Sequence, residues 1–429
     1  VTKEDPVPVH NVRRPQPRAA LPPLRAASAA AGAAALLVTA LGARPALASG
    51  FLIYDLSAAA LGRASAVTAD TNESAAVFFN PAGLSFIGGH GAQAGGVLVT
   101  ARSTFSPAGG GAETASERGV FFLPTVYAHS TVSDRVTVGM GFFTAFGIGI
   151  TWPNGWEGRT HAIGASLQTV NLNPTVSFKV DRRVSFAVGF DAVRGTVDFL
   201  TGLPALVGGD VRLVGDAWGF GFNFGALCKV VPETLHVGLS YRSRVGLEFA
   251  GQADFAPANP DFSRMLVDQP GSATITLPDI ITLGVMGRPR SDLALTLDVN
   301  LVRWTSYSQI DIAFESAPSR SLQPGGRDTF TVRAGAEYAT SLPALRLRGG
   351  LIYDRAAVAG QGLGPGLPDG DRADVTAGVG YDLGFIRADV GYMLVYFLPA
   401  DSVGGREGPE GTYRSLAHLV ALTVGASWR

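Results

Sequence analysis

Residues 235–249 read LHVGLSYRSRVGLEF. The odd positions, Leu235, Val237, Leu239, Tyr241, Ser243, Val245, Leu247 and Phe249, are almost all apolar. The even positions, His236, Gly238, Ser240, Arg242, Arg244, Gly246 and Glu248, are charged, polar or small. Successive side chains of a strand point to opposite faces, so this run predicts a strand with one greasy and one charged side.

The pattern recurs along the chain. Val184, Phe186, Val188 and Phe190 alternate with Ser185, Ala187, Gly189 and Asp191. Leu293, Leu295, Leu297, Val299 and Leu301 alternate with Ala294, Thr296, Asp298 and Asn300, and 386–394 behaves likewise. A soluble sandwich also alternates. Length separates the two, because many runs exceed the ~5–6 residues of an average soluble strand and match the ~9–11 that cross a bilayer.

Connections give a second test. Short breaks near 133–134, 181–182, 231–233, 289–291, 341–343 and 383–384 alternate with longer ones near 107–117, 147–162, 199–210, 251–272, 315–328, 357–371 and 400–413. The fold class expected is all-β: a transmembrane antiparallel β-barrel of about fourteen strands, with short periplasmic turns and longer outer loops. Trp428 shares parity with Leu416, Val420, Leu422 and Val424, so it belongs on the lipid face. Cys228 shares parity with Phe220, Phe222 and Phe224 and is read as an apolar filler on that face.

Composition agrees. Of 429 residues 46% are hydrophobic and 16% charged, with 55 glycines; soluble domains carry ~25% charge. A net charge of −1 leaves no basic excess for nucleic acid. Residues 26–43 form the one long apolar run, preceded by Arg13, Arg14, Arg18 and Arg25 and followed by Ala46-Leu47-Ala48. That order reads as a cleaved export signal over 1–48, with a Pro- and Arg-rich extension at its front. Beyond Ala48 no segment reaches the ~18 apolar residues of a spanning helix, so a membrane form must be a barrel.

Fourteen strands enclose a lumen that leaks unless something fills it. Residues 49–91 do not alternate, and are small-residue-rich apart from FFNPAGLSF at 78–86. They are read as a hatch that plugs the lumen, ahead of a barrel over 92–429. Asn80, Pro81, Ala82 and Gly83 form a fixed turn, either presenting Phe78, Phe79, Leu84 and Phe86 to the lumen or simply capping the first strand.

SGFLIYDLSAAALGRAS (49–65) and FFNPAGLSFIGG (78–89) resemble the mature start of FadL-type outer-membrane transporters of long-chain fatty acids and hydrocarbons. WPNGWEGR (152–159), VNLNPTVSFKV (170–180), LPDIITLGV (277–285), TLDVNLVRWTSY (296–307), RAGAEY (333–338) and LPDGDRADVTAGVGY (367–381) extend the likeness over the mature chain. The resemblance implies a fourteen-stranded barrel with an N-terminal hatch. Hydrophobic ligand is caught on outer loops, passed to a pocket near the mature N-terminus and released sideways into the bilayer. Phe51, with Phe78 and Phe79, would then border the lumenal pocket. Leu203, Leu206 and Val207 in one outer loop, and Phe255, Phe262, Met265 and Leu266 in the next, would capture ligand. Those apolar loop residues either pack on one another or await a greasy ligand.

The charges read as lumenal, Arg242, Arg244, Glu248, Asp298, Arg333, Glu337, Arg346, Arg348, Arg372, Asp374, Arg387 and Asp389, mix both signs and are expected to pair with each other and with the hatch. The glycines Gly139, Gly141 and Gly147 mark the third strand as a weak place in the wall. Neither a phosphate-binding Gly-rich loop nor paired metal ligands occur, and no G-x-S-x-G accompanies the six histidines, so no cofactor, metal or enzymatic activity is expected. A general porin for polar solutes is the rival reading, though it has no need of residues 49–91. The partners expected are a hydrophobic small molecule and outer-membrane lipid, with the protein a monomer.

Overall fold

The computed structural model describes residues 50–316, 318–403 and 407–428; the segment 1–48 read as an export signal lies outside the described residues. Fourteen antiparallel strands close into a barrel. They are β1 (His90–Pro107), β2 (Gly119–Thr131), β3 (Val136–Phe143, continued as Gly147–Thr151), β4 (Gly164–Lys179), β5 (Val184–Gly202), β6 (Gly209–Val231) and β7 (Leu235–Arg242, continued as Val245–Pro257). There follow β8 (Gln269–Leu277, continued as Ile280–Arg290), β9 (Leu293–Val302, continued as Ile310–Phe314), β10 (Thr329–Ala339), β11 (Leu345–Asp354), β12 (Arg372–Asp382), β13 (Ile386–Phe397) and β14 (Gly411–Trp428). Closure is complete: β1 pairs with β14 from His90↔Trp428 to Pro107↔Gly411. The first strand begins at His90, two residues before the expected boundary. The third outer connection is only 203–208, because β5 and β6 stay paired as far as Gly202↔Asp210.

Parity holds over the lower wall. Phe186, Val188 and Phe190 are exposed on the outer face, while Ser185, Ala187 and Asp191 are buried within. Trp428, Leu416, Val420, Leu422 and Val424 face outward too. On β5 and β6 the apolar band ends near Trp218. Above it the outward residues include Arg194, Asp198, Arg212 and Asp216, paired across the strands. These strands therefore rise beyond the lipid.

Strand β7 corrects the reading of 235–249. Below residue 243 the even positions point inward as expected. Above 244 the phase reverses: Val245, Leu247 and Phe249 are buried, and Arg244 and Glu248 are exposed. Arg242 and Ser243 are both buried, so the strand steps by one residue there, and a single-residue step exchanges its faces. Strand β8 makes the same step beside it, at Pro278-Asp279. Asp279 joins the two breaks, accepting from Tyr241 Oη at 2.9 Å and pairing with Arg244 at 2.9 Å. The lower bore is thereby polar and the upper bore apolar.

Residues 50–89 fill the lower bore. They form three one-turn helices, α1 (Ala58–Leu61), α2 (Ala76–Phe79) and α3 (Leu84–Ile87), with a 3₁₀ turn over Pro81–Gly83. Wall side chains satisfy hatch amides that no helix of this length can satisfy itself. Thr423 Oγ1 accepts from Ala58 N, Thr376 Oγ1 from Ala64 N, and Asp298 from Thr68 N, all within 3.1 Å. Wall glycines permit the close approach: a Cβ on Gly378 would lie 2.8 Å from Gly62 Cα, and one on Gly335 would overlap the Arg63 carbonyl.

The remaining lumenal charges pair as expected. Arg333 bonds hatch Asp55 at 3.2 Å, Arg348 bridges Glu337 and Asp389 at 2.7 and 2.8 Å, and Arg242 pairs with Asp191.

Candidate functional site

The leading end of the hatch decides the shape of the wall. At residues 144–146, β3 turns inward and pairs with the hatch instead of with β2. Ile53 N donates to Ala145 O at 2.8 Å, and Gly147 N donates to Phe51 O at 3.0 Å. Leu52 bridges Phe146. Strands β2 and β3 pair only from Val126↔Phe142 to Thr131↔Thr137. Above this, residues 119–125 of β2 keep β1 as their one ladder partner. Contact resumes at the top, where Glu117 N donates to Thr151 O. The wall is thus open along seven residues of β2, about 20 Å at ~3.3 Å per residue.

A cavity of about 590 Å³ passes through this opening. Inside it is lined by Phe51, Ile53, Ala101 and Met393, and on the lipid face by Val120, Phe122 and Leu416. The Phe121 ring lies across the opening and packs on Gly149 so closely that a Cβ there would strike it.

A second cavity of about 170 Å³ occupies the upper bore. Its wall includes Leu213, Phe249, Ile275 and Ile312. His161, Tyr307, Arg320 and Glu407 are its charged or titratable lining residues. Burial, and then the neighbouring Arg320, hold His161 below the usual imidazole range, so it is neutral near pH 7. The two cavities share Phe51, Ile148, Leu167 and Leu367. Phe51 stands at their junction, edge-on to Trp304 at 4.8 Å, Tyr307 at 5.1 Å and Phe146 at 6.1 Å between centroids.

Phe51 lines both cavities. Phe78 and Phe79 line neither; they are buried in the hatch against Tyr54 and Phe143. The Asn80 motif is an anchor. Extended Asn80 caps the 3₁₀ turn by accepting from Ala82 N, and Pro81 occupies the first position, where no amide is required. Asn80 Nδ2 donates to Thr68 O within the hatch and to Ala226 O of β6. Ala82 O accepts from Ser177 and Ser185 of the wall, and Thr71 fills the space a Gly83 side chain would need.

The two outer loops expected to capture ligand do touch, Asn259 N donating to Val207 O at 2.9 Å. Leu206 and Met265 are 76% and 66% exposed at their tips, Val207, Phe262 and Leu266 are half-buried, and Leu203 is buried. Phe255 stacks edge-on to Phe314 at 5.8 Å. None of these seven side chains lines either cavity.

The sequence reading missed Phe121, Phe146, Trp304 and Tyr307. The alternating glycines of FGIGI at 146–150, which let rings approach the backbone, were the available signal.

Comparison with known proteins places the chain in a family. The chain is 26% identical to outer membrane protein P1 of Haemophilus influenzae, over 90% of this chain and 95% of the relative. It is 25% identical to a long-chain fatty acid transport protein of Escherichia coli, over 82% of this chain and 87% of that one. A FadL homologue of Pseudomonas aeruginosa shares its fold at a TM-score of 0.80, with 20% identity over 89% of this chain and all of that one. The toluene transporter TodX of Pseudomonas putida does so at 0.69, with 18% identity over 84% of this chain and 95% of that one. The family model described as outer membrane protein transport protein (OMPP1/FadL/TodX) matches residues 39–401, and the chain belongs to that family of outer-membrane β-barrels.

Proposed function

We propose that the protein takes up hydrophobic small molecules, long-chain fatty acids or aromatic hydrocarbons, across the outer membrane without energy coupling. The observation that carries this reading is the meeting at Phe51 of an apolar upper cavity with one that runs out through the wall into lipid. An apolar molecule entering from outside would meet Leu213, Phe249 and Ile312, pass Phe51, and leave between β2 and β3 past Phe121. Release into lipid is downhill, since each CH₂ gains ~0.8 kcal/mol on leaving water. The exposed Leu206 and Met265 tips would collect such molecules at the rim. A polar-solute porin is disfavoured, because the hatch fills the lower bore and the opening faces lipid.

The test places cysteines at Phe121 and Gly149 in a Cys228→Ser background and bridges them with a cleavable thiol cross-linker. Cellular uptake of labelled oleate and of toluene should fall at least ~10-fold and recover on reduction, by loss of the route the gap supplies. Undiminished uptake of both with the bridge in place would refute lateral release.

A further inference from the structure

Beside the wall opening, on the outer surface, a cleft of about 420 Å³ is lined by Arg102, Arg118, Arg414, Tyr396, Leu416 and His418, among others. The ladder of β1 and β2 ends at Ala101↔Gly119, so its next step sets Arg102 opposite Arg118. Arg414 is two pairs higher, across from Thr104, and Arg102 faces Leu416. Like charges directly opposed across strands are unfavourable unless an anion lies between them. Among the described residues neither Arg102 nor Arg118 has an acidic partner. Arg414 is held only loosely, 3.7 Å from Glu113 and 3.0 Å from Ser106 Oγ.

Height fixes what can reach these cations. Outward residues of β14 run from Trp428 through Val424, Leu422, Val420 and Leu416 to Arg414. At ~3.3 Å per residue and a tilt of ~40°, that run spans about 35 Å along the membrane normal. With Trp428 at the inner interface, the arginines stand in the outer headgroup layer, with Leu416 beside Arg102; below them come Val120, Thr100 and His418, and then an apolar strip of Leu98, Phe122 and Val420.

We propose that this cleft binds the phosphorylated headgroup of an outer-leaflet lipid, its acyl chains lying down the strip. Arg102 and Arg118 would grip phosphate through charge-assisted, paired hydrogen bonds, a geometry that guanidinium fits well. A lipid is favoured over free phosphate because the apolar strip lies below the arginines on the same face. Leu416, Ala101, Phe397 and Ser415 line both this cleft and the cavity through the wall, so the lipid held here borders the exit. The site stands independently of what the protein transports.

Native mass spectrometry of the purified full barrel with bisphosphorylated lipid A, dephosphorylated lipid A and inorganic phosphate tests this. Wild type should retain the bisphosphorylated lipid roughly tenfold better than both the dephosphorylated lipid and the Arg102→Gln/Arg118→Gln variant retain or are retained, a difference of ~1.4 kcal/mol. Arg194→Gln, on an outward arginine elsewhere on the wall, should change nothing. The lipid comparison on wild type needs no variant and stands even if the double substitution prevents assembly. Equal retention of the two lipids, or displacement by inorganic phosphate alone, would overturn the proposal.

Discussion

Two halves of β7 do opposite work. Below Ser243 the strand turns Ser240 and Arg242 toward a bore filled by the hatch, and polar groups find partners on both sides. Above Arg244 it turns Val245, Leu247 and Phe249 inward to an apolar bore, where Phe249 borders the hollow. One extra residue makes the difference. A barrel that kept strict alternation from end to end would carry the same chemistry along its whole bore. Paired steps in β7 and β8, joined through Asp279, let one wall serve a plug below and a greasy passage above.

The lower half is the place to break this arrangement most severely. Gly335 of β10 admits the Arg63 carbonyl of the hatch, and a Leu side chain cannot share that space. Gly335→Leu should dislodge the hatch while leaving the strand ladder paired. In planar bilayers the variant should pass a steady, porin-like current, where wild type passes almost none. A barrel that assembles and stays closed would mean that the plug does not depend on this contact.

The upper half offers the sharper discrimination. Leu247 is fully buried and its neighbour Glu248 is exposed. Leu247→Gln puts an amide into the apolar bore at a cost of ~1–3 kcal/mol if it stays unpaired, and should slow uptake of a labelled alkane or fatty acid by about tenfold. Glu248→Gln should leave uptake unchanged. Uninterrupted alternation predicts the reverse ranking, so this pair of variants decides between the two phases.

That pair also marks where sequence reading stops. Strand number, lipid face and the alternation of short and long connections were legible because each depends on residues close together in the chain. The hatch was legible as the stretch that fails to alternate. The step in β7 was hidden: RSRV at 242–245 carries no Gly or Pro, and either phase sets apolar residues against polar ones. In β8 the corresponding Pro278 was a visible cue, since proline cannot donate to the ladder. The wall opening was only partly legible. Pro124 within FFLPTV at 121–126 cannot donate to a ladder, and the third-strand glycines marked a weak place in the wall, but nothing local reveals that β3 has exchanged β2 for the hatch. Among the candidate site residues, Phe51 and the Asn80 turn came from local pattern and resemblance. Trp304, Tyr307 and Phe146 come together only once the barrel closes around Phe51.

The hatch's leading end supplies the last and smallest test, because one carboxylate ties it to the outer loop at 355–371. Asp369 Oδ2 accepts from Gly50 N at 3.2 Å and from Val358 N at 3.1 Å, and its other oxygen accepts from Gly370 N. Burial pushes this carboxyl up to about 6, against the restraint of those amides and of Arg372. An unfolded aspartate titrates near ~3.9, so between the two values the folded protein holds a proton that the unfolded chain has released. The clamp is therefore firmest below about pH 4 and loosens as pH rises through about 6. Hydrogen exchange at Gly50 and Val358, corrected for base catalysis, should show protection falling several-fold between about pH 5 and 8. Asp369→Asn should flatten that profile. Protection that instead rises with pH would mean the ionised carboxylate is the better clasp, and that the leading end is held by charge rather than in spite of it.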